Sequence, residues 1–146
     1  MINTSYNSLQ SLIIEDINSE YCIIKYAEFD IIMNKKDEHL NMTKVVKQDL
    51  YESGNPRELK EWFRSEPSKR ILEALNEEVG GPTLPLYYSI TDGPNDLRGT
   101  YVDRLLLPHI LCWCSAKFAI RVSKIVNQYF IDKANKTIFN LETMIK

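Results

Sequence analysis

Apolar and polar positions along the chain change period several times. "YCIIKY" (21–26) and "FDIIM" (29–33) are rich in β-branched and aromatic residues and predict two strands. The polar run "NKKDE" (34–38) reads as a turn, so a hairpin or meander is expected over 21–41. From Met42 the period lengthens towards the helical 3.6. Met42, Val45, Val46 and Leu50 share one side, and Lys44, Lys47 and Gln48 fall largely outside it. Asn41 or Thr43 suits the cap of this helix, and Gly54 its stop.

"NPRELKEWFRSE" (55–66) predicts a second helix. Asn55 would cap it, Pro56 suits its first position, and Glu58 stands where a capping box needs it. Leu59, Trp62 and Phe63 form its apolar face. Pro67 interrupts the pattern, because a residue before proline is steered away from helical geometry. "PSKRILEALNEEV" (67–79) predicts a third helix, with Ile71, Leu72, Leu75 and Val79 inward and "GGP" as its stop. "LPLYYSI" (84–90) and "GTYVD" (99–103) predict strands around the turn-rich loop "TDGPNDLR".

The remainder reads as helical. "DRLLLPHILCWC" carries Leu105, Leu106, Ile110 and Trp113, with Pro108 at a kink or early turn. "SAKFAIRVSKIVNQYF" is the most periodic segment, with Ser115 as its cap. Phe118, Ala119, Val122, Ile125, Val126, Tyr129 and Phe130 make one stripe; Lys117, Arg121, Lys124 and Gln128 lie opposite. Trp62, Phe63, Trp113, Phe118 and Phe130 are expected in the core rather than as stacking platforms. Residues 1–19 fit either a short helix, with Leu9, Leu12, Ile13 and Ile17 inward, or a frayed lead-in.

A length of 146 residues, 44% hydrophobic and 26% charged, fits one domain with an ordinary core. No apolar run reaches the roughly 18 residues of a membrane span, and the first residues do not read as a signal peptide. Cys22, Cys112 and Cys114 have neither disulfide-framework nor zinc spacing; reduced thiols in an intracellular protein are expected. Formal net charge is −2, but unevenly spread. Residues 1–97 hold 10 basic and 17 acidic side chains, and residues 98–146 hold 8 and 3. Such asymmetry permits a basic face on a weakly acidic molecule, although charge alone favours a solvated surface.

Several segments, taken in order, carry a more specific signal. "LNMTKVVKQ", "LKEWFRSEPSKRILEALNEEVGG" and "GTYVDRLLLPHILCWCSAKFAIRVSKIVNQYF" together resemble the KilA-N domain of large DNA viruses and bacteriophages. Through it, "NMTK", "KRILEALNEEV" and "GTYV" look like segments of the fungal APSES DNA-binding domains. The resemblance covers residues 21–131, with 1–20 as lead-in and 132–146 as tail. It implies an α+β, winged helix-turn-helix-like fold: short N-terminal strands, a helical pair, a β-hairpin wing and C-terminal helices. It also implies DNA binding. Tyr101 and Asp103 stand where many relatives carry Trp and His, differences of detail rather than fold. The Cys and His of a RING finger, which some relatives append, are missing, so ubiquitin-ligase activity does not carry over.

The expected DNA contacts follow from those segments. Ser68, Lys69 and Arg70 would open the third helix, where free N–H groups and the helix dipole favour an anion. Beyond that turn, Glu73 and Glu77 would repel phosphate. Thr43, Lys44 and Lys47 on the first helix, Arg64 on the second, and Asn95 and Arg98 on the wing complete the set. Lys44, Lys69, Arg70 and Arg98 are expected to converge on one face. Double-stranded DNA is the expected partner and a homodimer is open; no cofactor, metal, membrane or small-molecule substrate is expected. For a viral chain this places the protein in host cytoplasm or nucleus. The alternative is a protein-interaction or self-association module. Enzymatic chemistry is not expected, since His39 and His109 have no evident partner and no phosphate loop or nucleophile elbow occurs.

Overall fold

The computed structural model describes residues 8–53, 58–78 and 85–145, with side chains of 49–53 and 145 outside that description. The described residues form an α+β protein with one six-stranded antiparallel sheet and five α-helices. In chain order they are β1 (Ile13–Asp16), β2 (Tyr21–Tyr26), β3 (Phe29–Asn34), β4 (Leu40–Asn41), α1 (Met42–Ser53), α2 (Leu59–Arg64), α3 (Glu66–Glu78), β5 (Tyr87–Ile90), β6 (Gly99–Val102), α4 (Leu107–Cys114) and α5 (Ala116–Ile145). The sheet order is β1-β2-β3-β4-β6-β5.

The expected strands at 21–26 and 29–33 pair through a tight turn, with Ile24 opposite Ile31 and Cys22 opposite Met33. Alternation aims Cys22, Ile24, Phe29, Ile31 and Met33 at one face, where all are buried. Met42, Val45 and Val46 of α1, Leu107, Ile110 and Leu111 of α4, and Phe118 of α5 cover that face. On β2 and β3, Tyr26 and Phe29 each meet the Phe118 ring, at 6.2 and 5.9 Å. β4 has only two residues yet joins both halves of the sheet: Leu40 pairs with Met33 and with Val102, and Asn41 with Tyr101.

Some expectations change. The open N-terminal stretch becomes a 3₁₀ turn (Gln10–Leu12) and an edge strand, β1, on β2. Glu38, at φ +60, holds its start: its carboxylate accepts from Ser8 Oγ and the Leu9 N–H, and pairs with Arg104. Helix α2 begins at Leu59, after an extended Glu58. Asn55, Pro56, Gly54, Val79 and the "GGP" stop lie outside the described residues, as does the side chain of Leu50. Pro67 does not delay the third helix. Proline lacks the N–H that a first turn leaves unpaired, so α3 starts at Glu66 and contains it. Pro108 likewise sits in the first turn of α4. Leu105 is exposed, whereas Leu106 and Ile110 are buried as expected, together with Leu107 and Leu111, and Trp113 is half-buried.

Ser115 caps α5, accepting from the Phe118 N–H at 3.2 Å. The stripe it begins does not stay inside. Phe118 is buried and Val122 half-buried, whereas Ile125, Val126, Tyr129 and Phe130 are exposed, because the helix runs past the end of the sheet. Phe130 is therefore not a core residue.

Candidate nucleic-acid interface

The start of α1 is tied to the β5–β6 hairpin by three consecutive polar functions. Asn41, fully buried, accepts from the Lys44 N–H and so caps the helix, while its amide donates to the Arg98 carbonyl at 3.0 Å. The Thr43 hydroxyl accepts from the Thr100 N–H at 2.9 Å. The Lys44 ammonium donates to the Asn95 carbonyl at 3.1 Å. Gly99 makes the close approach feasible. Its φ is +146, and a Cβ there would collide with the Asn41 amide.

The loop so held is itself folded. Asn95–Leu97 form a 3₁₀ turn, Leu97 is buried, and Tyr101 Oη donates to the Leu97 carbonyl at 2.7 Å. Arg98 Nε donates to the Gly93 carbonyl. Behind it Tyr101 stacks on Tyr88 at 5.8 Å, and Tyr88 on His39 at 5.3 Å. His39 is buried, with Nε2 2.9 Å from the Pro85 carbonyl, so it does have a partner and the role is structural. Burial raises the phenol pKa of Tyr101 to about 12. Burial, then the hydrogen bond to Asp37, raises that of Tyr88 further.

Next to the clamp between α1 and the hairpin, and sharing Thr43 and Thr100 with it, a groove of about 600 Å³ opens between α1, α2, the start of α3 and the hairpin strands. Its floor is Val46, Leu59, Phe63 and Tyr87, with the Phe63 and Tyr87 rings 4.5 Å apart. Lys47, Lys60, Arg64 and Lys69 also line it, against one carboxylate, Glu58. Glu58 binds Lys60 at 2.9 Å, and that hydrogen bond holds its carboxyl below the usual range. Lys69 is 3.5 Å from Glu66.

Thus four of the nine expected contacts, Thr43, Lys47, Arg64 and Lys69, share this groove. Lys44, Asn95 and Arg98 are grouped instead at the hairpin loop. Arg70 is exposed on α3 and does not line the groove. Lys44, Lys69, Arg70 and Arg98 are therefore divided between these places rather than gathered in the groove. Ser68 is 2% exposed, and its hydroxyl is hydrogen-bonded to Ser65 Oγ at 2.6 Å, which faces it inward. Ser65 also accepts from the Ser68 N–H and takes the capping position there. Lys60, Tyr87, Ser89 and Thr100 of the groove escaped the sequence reading. Lys60 was legible in principle, one turn before Arg64 on the same helix face; Tyr87 carries no such signal. Among the described residues no cluster of His, Cys, Asp or Glu could hold a metal ion, and no helix is long and apolar enough to cross a membrane.

The KilA-N domain family model matches residues 24–132. Two putative KilA-N domain-containing proteins of Acanthamoeba polyphaga mimivirus are each 29% identical to the chain, over 134 and 141 residues. These alignments cover 90% and 94% of this chain, but 27% and 39% of the relatives. An uncharacterized fowlpox virus protein is 27% identical over 128 residues, covering 82% of this chain and 78% of its own length. The chain thus spans well under half the length of these two mimivirus relatives. No solved structure gives a significant match.

Proposed function

This chain belongs to the KilA-N domain family, and from that premise we propose that it binds duplex DNA through the groove beside α1. Lys47, Lys60, Arg64 and Lys69 hold sugar-phosphate backbone at the groove mouth, and Arg70 extends the contact along α3. Helices α2 and α3 act as the helical pair and the 91–98 loop as the wing, as in a winged helix-turn-helix or APSES-like arrangement. Arg98 at that wing reaches a phosphate or the minor groove. The role is binding, without catalysis.

The observation that carries this reading is the gathering of four cations from three helices into one groove of a molecule whose net charge is −2. Phosphate neutralisation releases counterions, so affinity must fall as salt rises, with a log–log slope of about −0.9 per phosphate contacted. Four contacts give a slope of about −3 to −4. Fluorescence anisotropy of a labelled duplex at several salt concentrations measures it. Absence of binding in dilute salt removes the proposal.

A further inference from the structure

The groove beside α1 has an apolar, aromatic floor, and a fully paired backbone offers that floor nothing to meet. A duplex turns phosphates and sugars outward and keeps the flat faces of its bases stacked inside. The floor, in contrast, ends in an open ring. Buried Trp62 holds the Phe63 ring edge-on at 5.0 Å, and Phe63 in turn meets Tyr87 at 4.5 Å. Phe63, expected in the core, is half-buried, and Tyr87 is 45% exposed. The last ring of a fixed row thus stays accessible in a groove of about 600 Å³, within the range of about 300–1,000 Å³ that holds small organic ligands.

The polar groups around that ring have a particular chemistry. Tyr87 and Ser89 alternate with Tyr88 along β5, so they share one face of the strand. Ser89 is opposite Thr100 on β6, and their hydroxyls are hydrogen-bonded to each other at 3.0 Å. That bond uses one of the two hydrogens, so the pair keeps a hydrogen to donate and lone pairs to accept. Lys47 of α1 and Arg64 of α2, both exposed, line the same groove. An open aromatic face, a hydroxyl pair and a surplus of cations are together complementary to a nucleotide, which has a flat base, a hydrogen-bonding edge and a negative phosphate.

We propose that the groove takes one unpaired nucleotide of the bound DNA. Its base stacks on Tyr87, its edge meets the Ser89 and Thr100 hydroxyls, and its flanking phosphates lie at Lys47 and Arg64. This rests on the groove being the DNA site and adds what that site selects, which is DNA carrying an extrahelical base over fully paired DNA. Drawing a base out of an intact duplex sacrifices its pairing and stacking, whereas a base already unpaired enters at least cost. Stacking on a protein aromatic then strengthens binding by about tenfold per base.

Fluorescence anisotropy with three labelled duplexes of one sequence tests this: one fully paired, one with a single extrahelical adenosine, and one with an extrahelical abasic residue at the same place. The two bulged duplexes carry the same charge and the same break in stacking, and differ only in the base. The adenosine bulge is expected to bind about tenfold more tightly than the abasic one. Tyr87→Leu should bring that ratio to one, and Tyr87→Phe, which keeps the ring, should preserve it. Equal affinities for the two bulges on the unaltered chain overturn the proposal, whatever Tyr87→Leu does to folding. So does a ratio that survives Tyr87→Leu in a folded variant, or free adenosine monophosphate that competes as strongly as the adenosine bulge, the mark of a mononucleotide site. If no duplex binds in dilute salt, the groove reading falls and this proposal with it. If the paired duplex binds and the two bulges are equal, the proposal alone falls.

Discussion

Lys44 and Lys47 are three residues apart on one helix, yet their ammonium groups meet different surroundings. Lys44 reaches a backbone carbonyl and fastens the hairpin loop; Lys47 faces a groove with other cations. The same contrast separates Arg98, bonded to Gly93, from Arg64 in the groove. The cations beside α1 thus meet two kinds of partner, backbone carbonyls at the loop and carboxylates in and beside the groove. On the loop side Lys44 fastens the hairpin loop to α1, and exposed Arg98 braces the loop through its Nε alone. On the groove side Lys47 and Arg64 line the cavity, while Lys60 pairs with Glu58 and Lys69 lies 3.5 Å from Glu66.

The strongest blow to this division falls on the scaffold. Gly99→Ala puts a Cβ against Asn41 at a backbone conformation that resists one, displacing the side chain that caps α1 and holds Arg98. A loss of about 3 kcal/mol or more is expected, read as a lower urea midpoint. If Gly99→Ala proves as stable as the parent, the Asn41 junction is not what holds the hairpin.

The next effect sharpens the contrast directly. Lys47→Glu with Arg64→Glu should lower duplex affinity by about ten- to a hundredfold and flatten the salt slope, with stability nearly unchanged. Lys44→Ala should do the reverse: about 0.5–1 kcal/mol of stability lost with its hydrogen bond, and duplex affinity changed by less than about threefold. Equal affinity losses in the two variants would erase the distinction between loop and groove.

The smallest effect near neutrality concerns Tyr101, whose hydroxyl holds the Leu97 carbonyl. Its folded pKa is raised above the ordinary 10.0, chiefly by burial. For a raised pKa the stabilising contribution is complete below pH 10 and is lost as pH rises through about 12. Chemical unfolding at stepped alkaline pH should show that decline, and Tyr101→Phe should reduce its slope while leaving the groove's affinity at neutral pH intact.

Much of this was legible in residue order. The β2–β3 hairpin, the inward face of α1 and the Ser115 cap rest on interactions within a few positions, which periodicity and capping chemistry report well. What failed needed knowledge of distant neighbours. β1 is a strand only because β2 offers it an edge. Ser68 sits in a polar first turn, and only the tertiary packing turns it inward. The α5 stripe was read correctly as apolar, but a stripe does not say where the body it should pack on ends. Asn41, Thr43 and Lys44 read as a helix start; that they also clamp a loop more than fifty residues away appears only when the chain is folded.

The two-residue strand β4 has a mechanical corollary. Along the strand ladder the N-terminal meander is joined to the C-terminal hairpin through Leu40 and Asn41, and those neighbours face opposite sides with unlike chemistry. A slip of one position would thrust an amide into oil and a leucine beneath a glycine, so the seam works like a keyed coupling that fits in a single setting. Torque carried along the strand ladder passes through that coupling, with the Asn34–Tyr88 and Tyr88–Asp37 hydrogen bonds and the Tyr21–Tyr101 ring contact bracing it from one side.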